Sequence, residues 1–351
     1  MPTRDEWLTQ GYLLSDHPFD PELALIHDPD GNVLDVNFSD PLDVFGTKEL
    51  KDYFQPVGSF NTAITDISTF LDGFGNRMDR NALPILLIEG PAGNGRKTVG
   101  NFAAHFMKDH CTKPPSLHTI PVTTNHFGRL LFEIKQALEL HFTKNKIDTT
   151  AIKSRDPIKA EDPDESNLAG LFSNVAQAKL NPPMLVLLIG PLRYPNNSDW
   201  IGKLYGMLKK LNVALIFTTN DRRITDLFKQ DLKRGDYLGC PVRLDPLTIQ
   251  DGKTLITNRL LQFRKQPPPP GLAPLTPYEM AAIEWIFRED LVIRQVLNLC
   301  RLTMNRKLTQ LVGSQKPVPS PVPGDPGTQI NTNDFKDVFG TVMSKGSWGG
   351  N

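Results

Sequence analysis

No apolar run in this chain approaches the roughly 18 residues that a membrane-spanning helix needs, so no such helix is expected. Cysteine is scarce: Cys111, Cys240 and Cys300 are widely spaced and odd in number. They outline neither a disulfide framework nor a zinc-ligand spacing, which suits a reducing cytoplasm. There is no charge excess either. Lys plus Arg and Asp plus Glu both number 39, so the formal net charge is zero. A chain so balanced is not, as a whole, an electrostatic glove for DNA or an anionic membrane. Nucleic acid is therefore not indicated by net charge, which leaves room only for a local basic patch. The first 30 residues carry Asp5, Glu6, Asp16, Asp20 and Glu22 without an apolar core, so no signal peptide is expected. A cytoplasmic location away from membranes is the resulting expectation. No local context suggests a Ser-His-Asp or Cys-His nucleophile. His105 and His110 stand five apart, the wrong spacing for one helix face and hence for a metal pair.

What is present is a chain of 351 residues, 39% hydrophobic and 22% charged, enough for one large domain and a smaller one. Its most informative stretch is residues 85–107, ILLIEGPAGNGRKTVGNFAAHFM. An apolar strand (Ile85 to Ile88) enters a turn with Gly90, Gly93 and Gly95. Arg96, Lys97 and Thr98 follow, and Val99, Phe102, Ala103, Phe106 and Met107 then recur at helical spacing. Strand, glycine loop, cation and helix is the layout of a phosphate-binding loop. Backbone N–H groups and a helix N-terminus point at a polyphosphate, and a basic side chain neutralises it. Glycines let the backbone approach the phosphates. The candidate binding residues are Gly90, Pro91, Ala92, Gly93, Asn94, Gly95, Arg96, Lys97 and Thr98.

The spacing departs from the usual Gly-x4-Gly-Lys-Ser/Thr. Counted from Gly90 and Gly95, the lysine position holds Arg96 and the hydroxyl position holds Lys97. Counted back from Lys97 and Thr98, the loop is one residue longer and Arg96 replaces its last glycine. One residue turns a side chain by about 100° around a helix, so the two counts place different groups at the phosphates.

Around this stretch, residues 1–57 read as an irregular N-terminal arm with one or two short helices. A helix over 58–78 carries Phe60, Ile64, Ile67 and Leu71 and either covers a core edge or lies against a nucleotide base. Strands are expected at 117–125, 184–190 (MLVLLIG), 213–221 (VALIFTTND) and around 240–244, alternating with helices, as in a parallel α/β sheet. The polar stretch 143–165 reads as a mobile insertion. After 246 the pattern turns helical. Thr248 and Asp251 form a capping box, Thr276, Pro277 and Glu279 form a helix start, and a long helix bears Ile293 to Leu311. The expected division is an α/β domain at 58–246, a helical lid at 247–312 and a Pro/Gly-rich tail at 313–351 with one short helix at 334–339.

The order of these parts resembles the AAA+ superfamily of P-loop ATPases, nearest to origin-recognition, secretion-type and STAND-like members. The resemblance spans about residues 58–312. It rests on the Gly90–Thr98 loop, the buried strands, the Pro246-Leu247 turn and the helix IRQVLNLCRL. It implies an α/β P-loop core with a helical lid, with ATP or ADP and Mg²⁺ held between the two, and assembly into a homo- or hetero-oligomeric ring with a protein partner the sequence does not identify. Thr98 would approach Mg²⁺ through the nucleotide. Asn220, with Thr219 beside it, would be the polar sensor. Arg234, with Lys233 and Arg243 as fallbacks, would be the arginine finger directed at a neighbouring subunit. Arg294 would reach the γ-phosphate from the lid. In such proteins the strand matching MLVLLIG ends in an acid pair that holds Mg²⁺ and activates water. Here Gly190 and Pro191 stand there, so both motifs are degenerate. The resemblance thus implies a nucleotide-binding oligomeric switch or scaffold with weak or no hydrolysis. Its alternatives are an active ATPase that remodels protein or nucleic-acid complexes, and a structural subunit without nucleotide.

Overall fold

The computed structural model describes residues 2–19, 54–77, 84–110, 116–121, 127–148, 150, 164–177, 184–189, 200–209, 211, 213–233, 238–264, 272–314, 318 and 327–344. The chain divides into two units. One is Thr62–Ala92 with Arg96–Asp245; the other is Met1–Asn61, Gly93–Gly95 and Pro246–Asn351.

In chain order the elements of the first part are α1 (Ser59–Arg77), β1 (Pro84–Glu89), α2 (Arg96–His110), β2 (Ser116–Pro121), α3 (Phe127–Lys144), α4 (Glu165–Gln177), β3 (Met184–Ile189), α5 (Trp200–Leu208), β4 (Val213–Thr219), α6 (Arg222–Lys233) and β5 (Leu238–Arg243). The five strands form one sheet in the order β2-β3-β4-β1-β5, and every neighbouring pair is parallel. Every residue of β4 is buried. That is why VALIFTT reads as a continuous apolar run: helices cover both faces, so alternation with polar residues is lost. On one face, Ile85 and Leu87 of β1 and Val213, Leu215 and Phe217 of β4 pack with Leu131, Phe142, Phe172, Leu204 and Phe228. Residues 143 and 144, read as the start of an insertion, are instead the last turn of α3. The bulk of that insertion, 149 and 151–163, lies outside the described residues.

This unit carries a buried histidine pair. His118 of β2 and His141 of α3 have ring centroids 5.8 Å apart. Burial first, then the neighbouring His141 and Lys144, lowers the His118 pKa from 6.5 to about 4. The unfolded chain takes up this proton near pH 6.5 and the folded chain only near 4. The contribution is therefore complete above pH 6.5 and is lost as pH falls through that window. Denaturant titrations at pH 7 and pH 4.5 should show His118→Leu losing less stability than wild type, by roughly 1–3 kcal/mol. His17, lowered to about 3 by burial and by Arg4 and Arg301, keeps part of the acid sensitivity in the variant.

The helical unit holds α7 (Ile249–Gln262), α8 (Met280–Ile286), α9 (Ile293–Gly313) and α10 (Thr332–Ser344). Thr248 caps α7: its hydroxyl accepts from the Asp251 N–H at 3.1 Å, and the Asp251 carboxylate accepts from the Thr248 N–H at 3.4 Å. The proposed start at Thr276, Pro277 and Glu279 is displaced. Residues 274–277 form a turn and α8 begins at Met280. Pairing with a distant segment overrides the local signal. Ile330 N–H donates to the Pro277 carbonyl at 2.9 Å, Glu279 N–H donates to the Ile330 carbonyl at 3.0 Å, and buried Tyr278 stacks on Phe335.

The segments read as an irregular arm and a tail both contribute core residues. Residues 2–19 place Trp7, Leu8, Tyr12, Leu14 and Phe19 in the same apolar cluster as Leu260, Ile283, Cys300 and Met304. This part of the N-terminal arm is ordered by a capping box at Thr3 and Glu6 and a π-helical turn at Trp7–Gly11. The tail helix is longer than the 334–339 expected, at Thr332–Ser344, and buries Phe335, Val338 and Val342. Lys307 and Asp334 pair across α9 and α10 at 3.3 Å. Phe335 is 0% exposed, so Phe335→Ala should cost about 3–5 kcal/mol in a denaturant titration. A dispensable tail would leave the midpoint unchanged.

Candidate functional site

The loop after β1 is anchored at its start by the sheet. β1 lies between β4 and β5. Gly90 N–H donates to the Thr219 carbonyl at 3.1 Å, and Leu244 N–H donates to the Glu89 carbonyl at 2.8 Å. A Cβ on Gly90 would stand 2.9 Å from the Leu244 carbonyl oxygen, so the chain turns there only as glycine. Pro91 and Ala92 are exposed. Gly93 and Gly95 have φ of +87° and +75°, the left-handed region that L side chains adopt at a cost. The helix α2 begins immediately afterwards, at Arg96.

This geometry places the sequence's two competing counts. Gly95 is the last left-handed residue, and Arg96, Lys97 and Thr98 are the first three helical residues. Arg96 thus follows the final glycine directly, as in the count from Gly90, and the longer loop ending at Arg96 is not formed. Arg96, Lys97 and Thr98 are each half-buried. Thr98 sits one helical position beyond the hydroxyl of the usual motif.

The loop tip, Gly93–Gly95, belongs by its contacts to the helical unit. Arg294 N–H donates to the Gly93 carbonyl at 3.1 Å. Ile293 N–H donates to Asn94 Oδ1 at 3.3 Å. Arg294 is the second residue of α9, and its side chain is exposed. The structure therefore joins Arg294 to the loop through its backbone.

At the end of β4, Thr219 is fully buried and its hydroxyl accepts from the Asp221 N–H at 3.0 Å. Asn220 is exposed beside it. Asp221 is engaged locally: its carboxylate accepts from Arg223 N–H at 3.0 Å and pairs with the Arg223 guanidinium at 2.7 Å, capping α6. Arg243 lies exposed on β5 and pairs with Asp245 at 2.7 Å. Lys233 closes α6. Arg234, Gly190 and Pro191 lie outside the described residues.

Glu89, the last residue of β1, is only 8% exposed. Its register partners are Thr219 and Arg243. Among the described residues no donor or cation meets its carboxylate. Sequence spacing gave this residue no role; burial of an acid beside a phosphate-type loop is the signal that singles it out.

The parallel sheet, the glycine loop following β1 and the C-terminal helical region define an α/β fold with a loop of P-loop form and a helical region, in line with the fold class the sequence implies. No family model matches the chain, and no curated protein sequence matches it. Among solved structures, it is similar to Drosophila ORC bound to DNA, with 12% identity, 92% of this chain and 72% of that chain covered, and a TM-score of 0.47. It is also similar to the Aeropyrum pernix ORC1 protein in complex with DNA, with 13% identity, coverage of 80% and 65%, and a TM-score of 0.49. A third is the Thermotoga maritima RuvB Holliday junction branch migration motor, with 14% identity, coverage of 82% and 70%, and a TM-score of 0.43.

No helix among the described residues is long and apolar enough to cross a membrane.

Proposed function

We propose that this protein binds ATP or ADP at Gly90–Thr98, hydrolyses it slowly or not at all, and serves as a nucleotide-dependent switch or scaffold in an oligomer. The observation that carries this reading is the loop itself. Two left-handed glycines are followed at once by a helix N-terminus headed by Arg96 and Lys97. Donors and cations of that kind fit a polyphosphate. Mg²⁺ would arrive with the nucleotide. Thr98 is the candidate hydroxyl for it, and Gly190 and Pro191 offer no ligand at the end of β3. Arg234 is proposed to meet a neighbouring subunit's nucleotide, Asn220 to orient toward the γ-phosphate, and Arg294 to reach that phosphate from α9. The DNA in the similar structures belongs to those proteins; the net charge of zero gives this chain no general affinity for it.

A second reading, an active ATPase, is favoured by Glu89. A buried carboxylate with no partner among the described residues, at the strand end, is chemically able to hold a metal ion or a water. A third, a structural subunit without nucleotide, is separated from both by affinity. Calorimetric titration with ATP and with ADP, each with and without Mg²⁺, tests the proposal. Saturable binding of one nucleotide per chain supports it, and absence of binding removes it.

A further inference from the structure

The helix α9 has no side-chain acceptor at its N-cap position; Gln295 Oε1 accepts only from the Val292 N–H, at 3.0 Å, which leaves the next N–H groups to other partners. Its N-cap residue is Val292, whose side chain has no hydrogen-bonding atom, and the first-turn N–H groups of a helix need acceptors. Two of those groups are satisfied from the loop: Ile293 N–H by Asn94 Oδ1 at 3.3 Å and Arg294 N–H by the Gly93 carbonyl at 3.1 Å. Asn94 thus caps a helix from 199 positions away. The approach is close. A Cβ on Gly93 would come within 2.6 Å of Val292 Cγ2.

Only 1% of Asn94 is exposed. Because Ile293 donates, the amide must turn its oxygen to Ile293. Its nitrogen, Nδ2, then lies at the other end of the group, buried and with no hydrogen-bond partner among the described residues. A buried amide donor with nothing to donate to is costly and calls for an acceptor. Its chain neighbours are Gly95, Arg96 and Lys97, the donors and cations of an anion site.

We infer that Asn94 is a ligand-reading residue whose Nδ2 donates to a phosphate oxygen of a bound nucleoside di- or triphosphate while its Oδ1 caps α9. This rests on the nucleotide reading above and adds a route from ligand to helix. Donation at one end of the amide polarises it and makes Oδ1 a stronger acceptor. Nucleotide therefore tightens the first turn of α9, including Arg294, and an ordered α9 favours nucleotide by the same factor.

The test separates the two ends of the side chain. Asn94→Asp keeps an acceptor for Ile293 but removes the donor and sets a negative charge against phosphate. Asn94→Ala removes both. Amide hydrogen exchange over residues 292–297 and calorimetric titration with ADP are measured on the full chain. In the wild type, ADP should slow exchange in this segment. Asn94→Asp should keep the ligand-free protection and bind ADP about 10- to 100-fold more weakly. Asn94→Ala should lose both protection and affinity. Unchanged ADP affinity in Asn94→Asp, or unchanged α9 exchange in Asn94→Ala, overturns the inference while wild-type binding preserves the nucleotide reading. A wild-type protein that binds no ADP overturns that reading, and the inference falls with it.

Discussion

Arg96→Ala together with Lys97→Ala is expected to abolish ATP binding. These are the first two residues of α2, directly after the left-handed Gly95, and both are half-buried. A hydrogen bond to a charged group contributes about 1.5–3 kcal/mol, so losing two weakens binding by roughly 10²–10⁴-fold. The single variants should lose less. Successive helical side chains diverge by about 100°, yet both are long and flexible enough to reach one phosphate in turn. Arginine approaches as a wide planar fork and lysine as a point charge, so Arg96→Lys is not expected to restore geometry in full. Calorimetry with ATP reads the result. Wild-type affinity in the double variant means that the loop is only a turn between a strand and a helix.

Turnover of bound ATP is expected to lie far below the ~1–10³ s⁻¹ of ordinary enzymes. Phosphoryl transfer needs neutralised charge and an aligned water. Gly190 and Pro191 follow β3, and neither side chain can hold a metal or accept a proton. Loss of one positioned electrostatic or base group costs about 10²–10⁴ in rate, and on the proposed reading two such groups are absent. Arg96 and Lys97 are separate from that deficiency, so binding and hydrolysis come apart. Glu89→Gln distinguishes the rival reading: a slow switch keeps its residual rate, whereas an ATPase that relies on Glu89 loses it. Gly190→Asp with Pro191→Glu raises turnover where the remainder of the site is intact.

The α/β half was legible because its rules are local. The apolar runs at β1 and β4 are strands buried on both faces, as their sequence indicates. The helical half was less so, although Thr248 with Asp251 caps α7 as their spacing indicates. Trp7, Leu8, Tyr12, Leu14 and Phe19 match neither strand nor α-helix period, because Tyr12 N–H donates five residues back to the Trp7 carbonyl in a π-turn. Thr276 and Pro277 looked like a helix start, but pairing with Ile330 claims that backbone. At the site, the glycine pattern located the loop, while two counts of its spacing stayed open until the φ angles fixed where α2 begins. The cap of α9 could not be read at all: Val292 gives no signal, and its substitute, Asn94, is distant in sequence.

The central claim, that ATP is bound and then left intact, is tested most directly by one time course. Protein in excess, at concentrations where oligomers form, is mixed with Mg²⁺ and ATP labelled on the γ-phosphate. Retained ATP and released phosphate are then followed together. The account predicts that ATP stays on the protein with its label over many minutes. Failure to retain ATP would contradict the account, as would release of labelled phosphate at about one per second that disappears in Lys97→Ala.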